Sequence, residues 1–208
     1  METLSLLGVA LGFATLSGIN LYLTTFLAGM AIRFNWLDLA DKYDSLAVLA
    51  NPWIIGVAGV LFLLEFFADK IPWLDSSWDA IHTFIRPVGG CLLALASLGE
   101  MDPAVAVIAA LLSGGTTLLT HATKASSRLL INMSPEPVSN VVASLGEDGV
   151  VIAGLGLMVF APVAAFFVFL AVVLFAVWLS RKTFGTIRRG YSVLRNKNKA
   201  VPPSASSQ

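Results

Sequence analysis

Charge is scarce in this sequence. Only 12% of its 208 residues are Asp, Glu, Lys or Arg, against roughly 25% in a typical soluble domain, while 57% are hydrophobic. A chain of this length cannot bury so much apolar surface in a water-soluble core, which excludes that class. Cysteine is rarer still. Cys91 stands alone inside an apolar run, so an internal disulfide is excluded and a packing role is expected. With one cysteine and two histidines, His82 and His121, a conventional zinc site is excluded unless carboxylates join it, and the metal is left unknown. No CxxC, HExxH or phosphate-cradling glycine loop occurs, and nothing pairs the histidines for haem, so no cofactor is expected. Met1–Leu7 lacks a basic n-region, so the first apolar segment is expected to stay in the membrane.

What is present is a series of long uncharged runs: Thr3–Gly18, Pro52–Leu64, Val88–Leu98, Pro103–Leu112 and Val150–Ser180. A membrane-crossing helix needs about 20 mostly apolar residues. The runs and their flanks predict an all-α, polytopic transmembrane bundle of about six spans, roughly 4–32, 52–68, 84–99, 103–122, 149–161 and 163–180. Five spans result if 149–180 is one helix kinked at Pro162. The first segment is long enough to tilt or break, and Ser17-Gly18 with Asn20 is the natural place.

Net charge is zero, but it is unevenly spread. Residues 181–199 carry seven basic and no acidic side chains, leaving six basic and thirteen acidic elsewhere. The positive-inside rule predicts a cytoplasmic C-terminus, with the loops at 69–83 and 123–148 on the same side, in a multi-pass protein of the bacterial inner membrane. Phe184, Ile187, Tyr191 and Leu194 recur at helical spacing, so 181–199 is expected to lie on the bilayer surface. Nucleic acid is not an expected partner. Residues 200–208 read as a disordered tail.

The transmembrane domain, 1–180, repeats itself. VALGFATLSGINLYLT at Val9–Thr24 and VAVIAALLSGGTTLLT at Val105–Thr120 share 8 of 16 residues without a gap. The 96-residue offset predicts repeats at 1–100 and 101–180. Three spans per repeat would make the second copy inverted, with a site at the midplane. Ser17, Gly18, Asn20 and Thr24, with Ser113, Gly114, Thr116 and Thr120, then line that site. Glycine permits unwinding, and the polar side chains hydrogen-bond freed backbone or a solute. Simple helix packing by small residues is the plainer alternative.

A second group is charged. Glu65 and Asp69 share a helical face, and Asp75, Asp79, His82 and Arg86 follow at spacings of four, three and four. Such a stripe at the membrane boundary can relay protons, bind a cation, or hold a phosphate. It can equally be a structural salt-bridge network on an interfacial helix joining two spans. His121, Lys124 and Arg128 form a basic stripe that should meet it from the same side.

The pattern E-x-x-A-D-K-x-P-x-x-D-x-x-W-D-x-x-H-x-x-x-R-P occurs at Glu65, Ala68, Asp69, Lys70, Pro72, Asp75, Trp78, Asp79, His82, Arg86 and Pro87. With HATKASSR and SLGEDG, it resembles a bacterial integral-membrane family known only as domain of unknown function 4126, over about residues 5–180. The resemblance implies a membrane location and no activity.

These features point first to a transporter or channel for a small solute or ion, acting as a possible homodimer in the lipid bilayer. The midplane segments would form its path, and Glu65, Asp69, Asp75, Asp79, His82, Arg86, His121, Lys124 and Arg128 would couple charge. A membrane enzyme acting on a lipid phosphate and a structural or accessory subunit are the alternatives.

Overall fold

Proline opens five of the six helices in this chain, at the first-turn position where its missing N–H costs no hydrogen bond. The computed structural model describes residues 2–36, 44–132 and 137–199. The helices are α1 (Glu2–Arg33), α2 (Pro52–Ala68), α3 (Pro72–Leu98), α4 (Pro103–Asn132), α5 (Pro137–Phe160) and α6 (Pro162–Lys199), with a 3-10 turn at Asp44–Ala50. No strand occurs among the described residues. Five helices, α1 and α3 to α6, are long and apolar enough to cross a membrane, and α2 has 17 residues. Leu111, Leu112, Phe160, Phe84 and Trp53 are among the large apolar side chains left exposed on the outside, where lipid replaces water as solvent.

Several boundaries differ from those expected. The charged stripe at 75–86 does not form a separate interfacial helix. It is the first half of α3, which runs on through Pro87 to Leu98. Its buried face packs inside the bundle, so the charges are interior and need no separate surface helix. Likewise α4 continues to Asn132 and α5 begins at Pro137, ten or more residues outside the charge-free runs. Pro162 does separate two helices, as expected, and α6 continues helical through the basic segment to Lys199. The tail at 200–208 lies outside the described residues.

α1 breaks where the sequence suggested. Asn20 is extended, with φ −149° and ψ 98°, between two helical arms. The contacts show that the arms double back. Only residues 69–71 join α2 to α3, so these two helices are antiparallel and the start of α2 lies level with the end of α3. Gly29, on the second arm, packs on Leu49 and Ile55 at that end. Gly8, on the first arm, packs on Pro162 at the α5–α6 turn, which lies at the same end, and Ala10 and Ala14 meet Ala94. α1 is therefore a re-entrant hairpin with Asn20 at its tip. It is also the most enclosed element, in contact with all five other helices.

The re-entrant course corrects the inverted-repeat expectation. Thr117 donates to the Ala14 carbonyl, Gly18 packs on Thr120, and Lys124 donates to the Ile19 carbonyl. The first arm of α1 and the matched helix α4 thus pass each other in the same direction. An inversion required three crossings in the first half, and folding α1 back on itself removes one. The two matched segments do touch, as the site expectation required.

Candidate functional site

The break in α1 defines the site. An interrupted helix leaves carbonyls without their i+4 amides, at an end that carries partial negative charge. Here Arg86 Nη1 donates to the Gly18 and Ile19 carbonyls at 3.0 Å each, and Lys124 Nζ donates to the Ile19 carbonyl at 3.0 Å. Asn20 caps the second arm, its Oδ1 accepting from Leu23 N at 2.9 Å, and its amide donates to Asp148 at 3.1 Å. Thr24 donates to the Asn20 carbonyl at 2.7 Å.

Around this tip the acidic and basic stripes meet as expected. Glu65 Oε1 accepts from Arg86 Nη2 at 2.6 Å and from Lys124 Nζ at 3.3 Å. Arg128 binds Asp69 at 3.2 Å and grips Glu147 through both carboxylate oxygens, at 3.0 and 2.7 Å. Asp79 lies 3.7 Å from Arg86, and Lys124 also reaches Asp69 and Glu147. Arg86, Glu65 and Asp75 are wholly buried, and Asp69, Asp79, His82 and Arg128 nearly so. Three buried cations, Arg86, Lys124 and Arg128, thus face six carboxyl groups: Glu65, Asp69, Asp75, Asp79, Glu147 and Asp148. Glu65 Oε2 and Asp69 Oδ1 are buried and take no hydrogen bond from the described residues. Lys70 stands at the rim, donating to the Phe66 carbonyl over that residue's ring. Burial lowers its affinity for a proton, against the opposing pull of Asp148 and Asp69.

The two histidines differ. His121 Nδ1 lies 2.9 Å from Arg86 Nη1, which can only donate, so this nitrogen is an acceptor. Its Nε2 lies 3.0 Å from the Asp79 carbonyl, which can only accept, so the proton is on Nε2. A second proton would point at a guanidinium. His121 therefore accepts from Arg86 and donates to the Asp79 carbonyl. His82 has one fixed contact, Nδ1–H donating to the Trp78 carbonyl at 2.7 Å, while Nε2 meets the Tyr22 hydroxyl at 2.8 Å.

The second small-residue segment is not brought into the network. α4 stays helical there, and Ser113 donates back to its own helix at Ala109. Gly114 packs against Pro87 and Cys91, and Thr120 donates to the Thr116 carbonyl. Ser17 is buried beside Gly90 and Thr117. These residues lie where α1, α3 and α4 pack together below the tip. Sequence reasoning missed Tyr22 and Thr83. Tyr22 lies two residues past Asn20 where the matched segment has Leu118, a difference that marks it. Thr83, which donates to the Asp79 carbonyl beside His121, carries no such signal.

Hollows border the network among the described residues. One of about 170 Å³, lined by Ser76, Asp79, Thr83 and Arg128, opens near its charged end. A groove of about 460 Å³ between α4, α5 and α6 reaches Ile19, Lys124 and Glu147. Another of about 490 Å³, lined by Leu21, Tyr22, Trp53 and Leu93, is almost wholly apolar. Among the described residues no three His, Cys, Asp or Glu side chains converge on a point that would hold a metal ion.

The family model for the Domain of unknown function (DUF4126) matches residues 7–182, which takes in α1 to α5, the apolar part of α6 and every residue of this network. The chain belongs to the DUF4126 family. It is thus a helical membrane protein of that family, and the match ends where the basic segment begins. No curated protein and no solved structure matches the chain.

Proposed function

We propose that this DUF4126 protein is a transporter or channel for a small solute or ion, working at the tip of the α1 hairpin. The observation that carries the reading is the capture of the Gly18 and Ile19 carbonyls by Arg86 and Lys124 inside a buried network. Broken helices at membrane depth are tolerated where protein or a polar cavity covers them, and ionisable residues there are costly and mark solute or ion paths. The hollow lined by Asp79 and Arg128 gives one side access to the network. On the other side, Ser17, Gly18 and Thr117 are buried where α1 packs against α4. Movement of the α1 arms against α4 would exchange which side is open. The basic segment that continues α6 supports an inner-membrane protein with a cytoplasmic C-terminus, and the hollow would then face the cytoplasm.

The test is flux into liposomes containing purified protein, across protons, sodium, potassium, chloride, phosphate and small organic acids and amines, with Glu65→Gln alongside. Flux of one of these that the folded variant loses supports the reading. Absence of flux for all of them overturns it in favour of a structural role for the ion pairs.

A further inference from the structure

We infer that the site binds a proton and that His82 carries it. The argument starts from hydrogen-bond roles. Of the two histidines, His121 has both nitrogens committed, one to a group that only donates and one to a group that only accepts. His82 has one such commitment, to the Trp78 carbonyl. Its other partner is a hydroxyl, which donates to a neutral imidazole and accepts from an imidazolium. His82 can therefore gain or lose a proton at Nε2 while every heavy atom stays in place. Only the Tyr22 O–H turns round.

Burial opposes a charge on His82, and part of its surroundings acts against that cost. The Trp78 ring stacks on the imidazole, with centroids 4.6 Å apart and planes at 23°, a geometry that stabilises a cation on the indole face. Glu65 of α2 and Asp79 of α3 attract a charge at His82, and Arg86 of α3 repels it. His121 of α4 stays neutral, and Tyr22 is the group that faces it from α1.

The placement of Tyr22 gives the proton a consequence. It lies on the second arm of α1, two residues past the break. Protonation of His82 reverses a hydrogen bond whose other end is the hairpin, so the proton state is read directly by the element proposed to move. That coupling rests on the transport reading. Proton binding at His82 does not.

The chain has only two histidines, so protein labelled with ¹⁵N,¹³C-histidine in detergent micelles yields two imidazole spin systems. His82→Gln and His121→Gln assign them. We expect one imidazole, His82, to titrate over about pH 4 to 8, and His121 to remain the neutral Nε2–H tautomer throughout. Tyr22→Phe, which removes the switching partner, shifts the His82 midpoint and leaves His121 unmoved. Titration of both rings together, of His121 alone, or of neither overturns the inference. Because this measurement needs no flux, its failure with flux intact removes the proton site alone. A titrating His82 in a protein that moves nothing removes the transport reading alone.

Discussion

Glu65 Oε1 lies 2.6 Å from Arg86 Nη2, and neither side chain has any exposed surface. The pair ties the end of α2 to the middle of α3, and through Arg86 to the freed carbonyls of α1. Deleting one partner of a buried pair strands the other charge, at a cost of about 3–5 kcal/mol. Glu65→Leu should therefore lower the thermal midpoint in detergent sharply. Glu65→Gln keeps an acceptor for Arg86 and should lose much less. Equal losses for the two would show that packing, and not the carboxylate, is what Glu65 supplies.

Gly18 and Gly115 make a controlled comparison. A Cβ at Gly18 would collide with the Thr120 hydroxyl and the Thr117 carbonyl, whereas one at Gly115 meets nothing within 4 Å. Gly18→Ala should destabilise by about 1–3 kcal/mol through overpacking. Gly115→Ala should be neutral, or stabilising by up to about 1 kcal/mol, since it trades a flexible helical residue for the best helix former. Unfolding of the two variants by denaturant in the same detergent checks the sign of each.

The hairpin course of α1 fixes the sidedness of the chain. Six crossings would place residue 2 on the same face as the turn at 69–71. Five crossings place it with the turn at 99–102. In a Cys91→Ala background, Glu2→Cys and Glu100→Cys should react with an impermeant thiol reagent from one face of oriented vesicles, and Lys70→Cys from the other. Labelling of positions 2 and 70 from the same face would show that α1 crosses.

Lys70 gives an alkaline signature. Burial lowers its pKa in the folded chain, so between that value and the ordinary lysine value near about 10.4 the unfolded chain binds more protons. Stability then rises with pH through that window, because the penalty for the charged form is relieved first in the folded state. The thermal midpoint of the natural protein should gain on that of Lys70→Gln as pH is raised from neutral towards 10. A constant difference would mean that Lys70 titrates as in the unfolded chain.

Much of this was legible in the residues. Apolar runs gave the helices, Pro162 gave one boundary between them, and Asn20 after Ser17-Gly18 gave the break, because an amide that caps a helix also stops one. The meeting of the Glu65–Asp69 face with Lys124 and Arg128 followed from helical spacing and shared sidedness. The direction of α1 past Asn20 did not. A single extended residue sets the angle between two helices, and only the partners of Gly8 and Gly29 show that the arms return to one end. The roles of the two histidines were likewise hidden. Both stand among the same charges, and what separates them is whether the second nitrogen meets a guanidinium or a hydroxyl.

The order of synthesis runs against the order of burial in this chain. α1 is made first, yet Val9, Phe13, Leu16 and Ser17 end with no exposed surface, enclosed by helices made later. Its tip is secured by Arg86, Lys124 and Asp148, which leave the ribosome after some 66, 104 and 128 further residues. The partners that secure the tip of the leading segment therefore exist only once the later helices have been made.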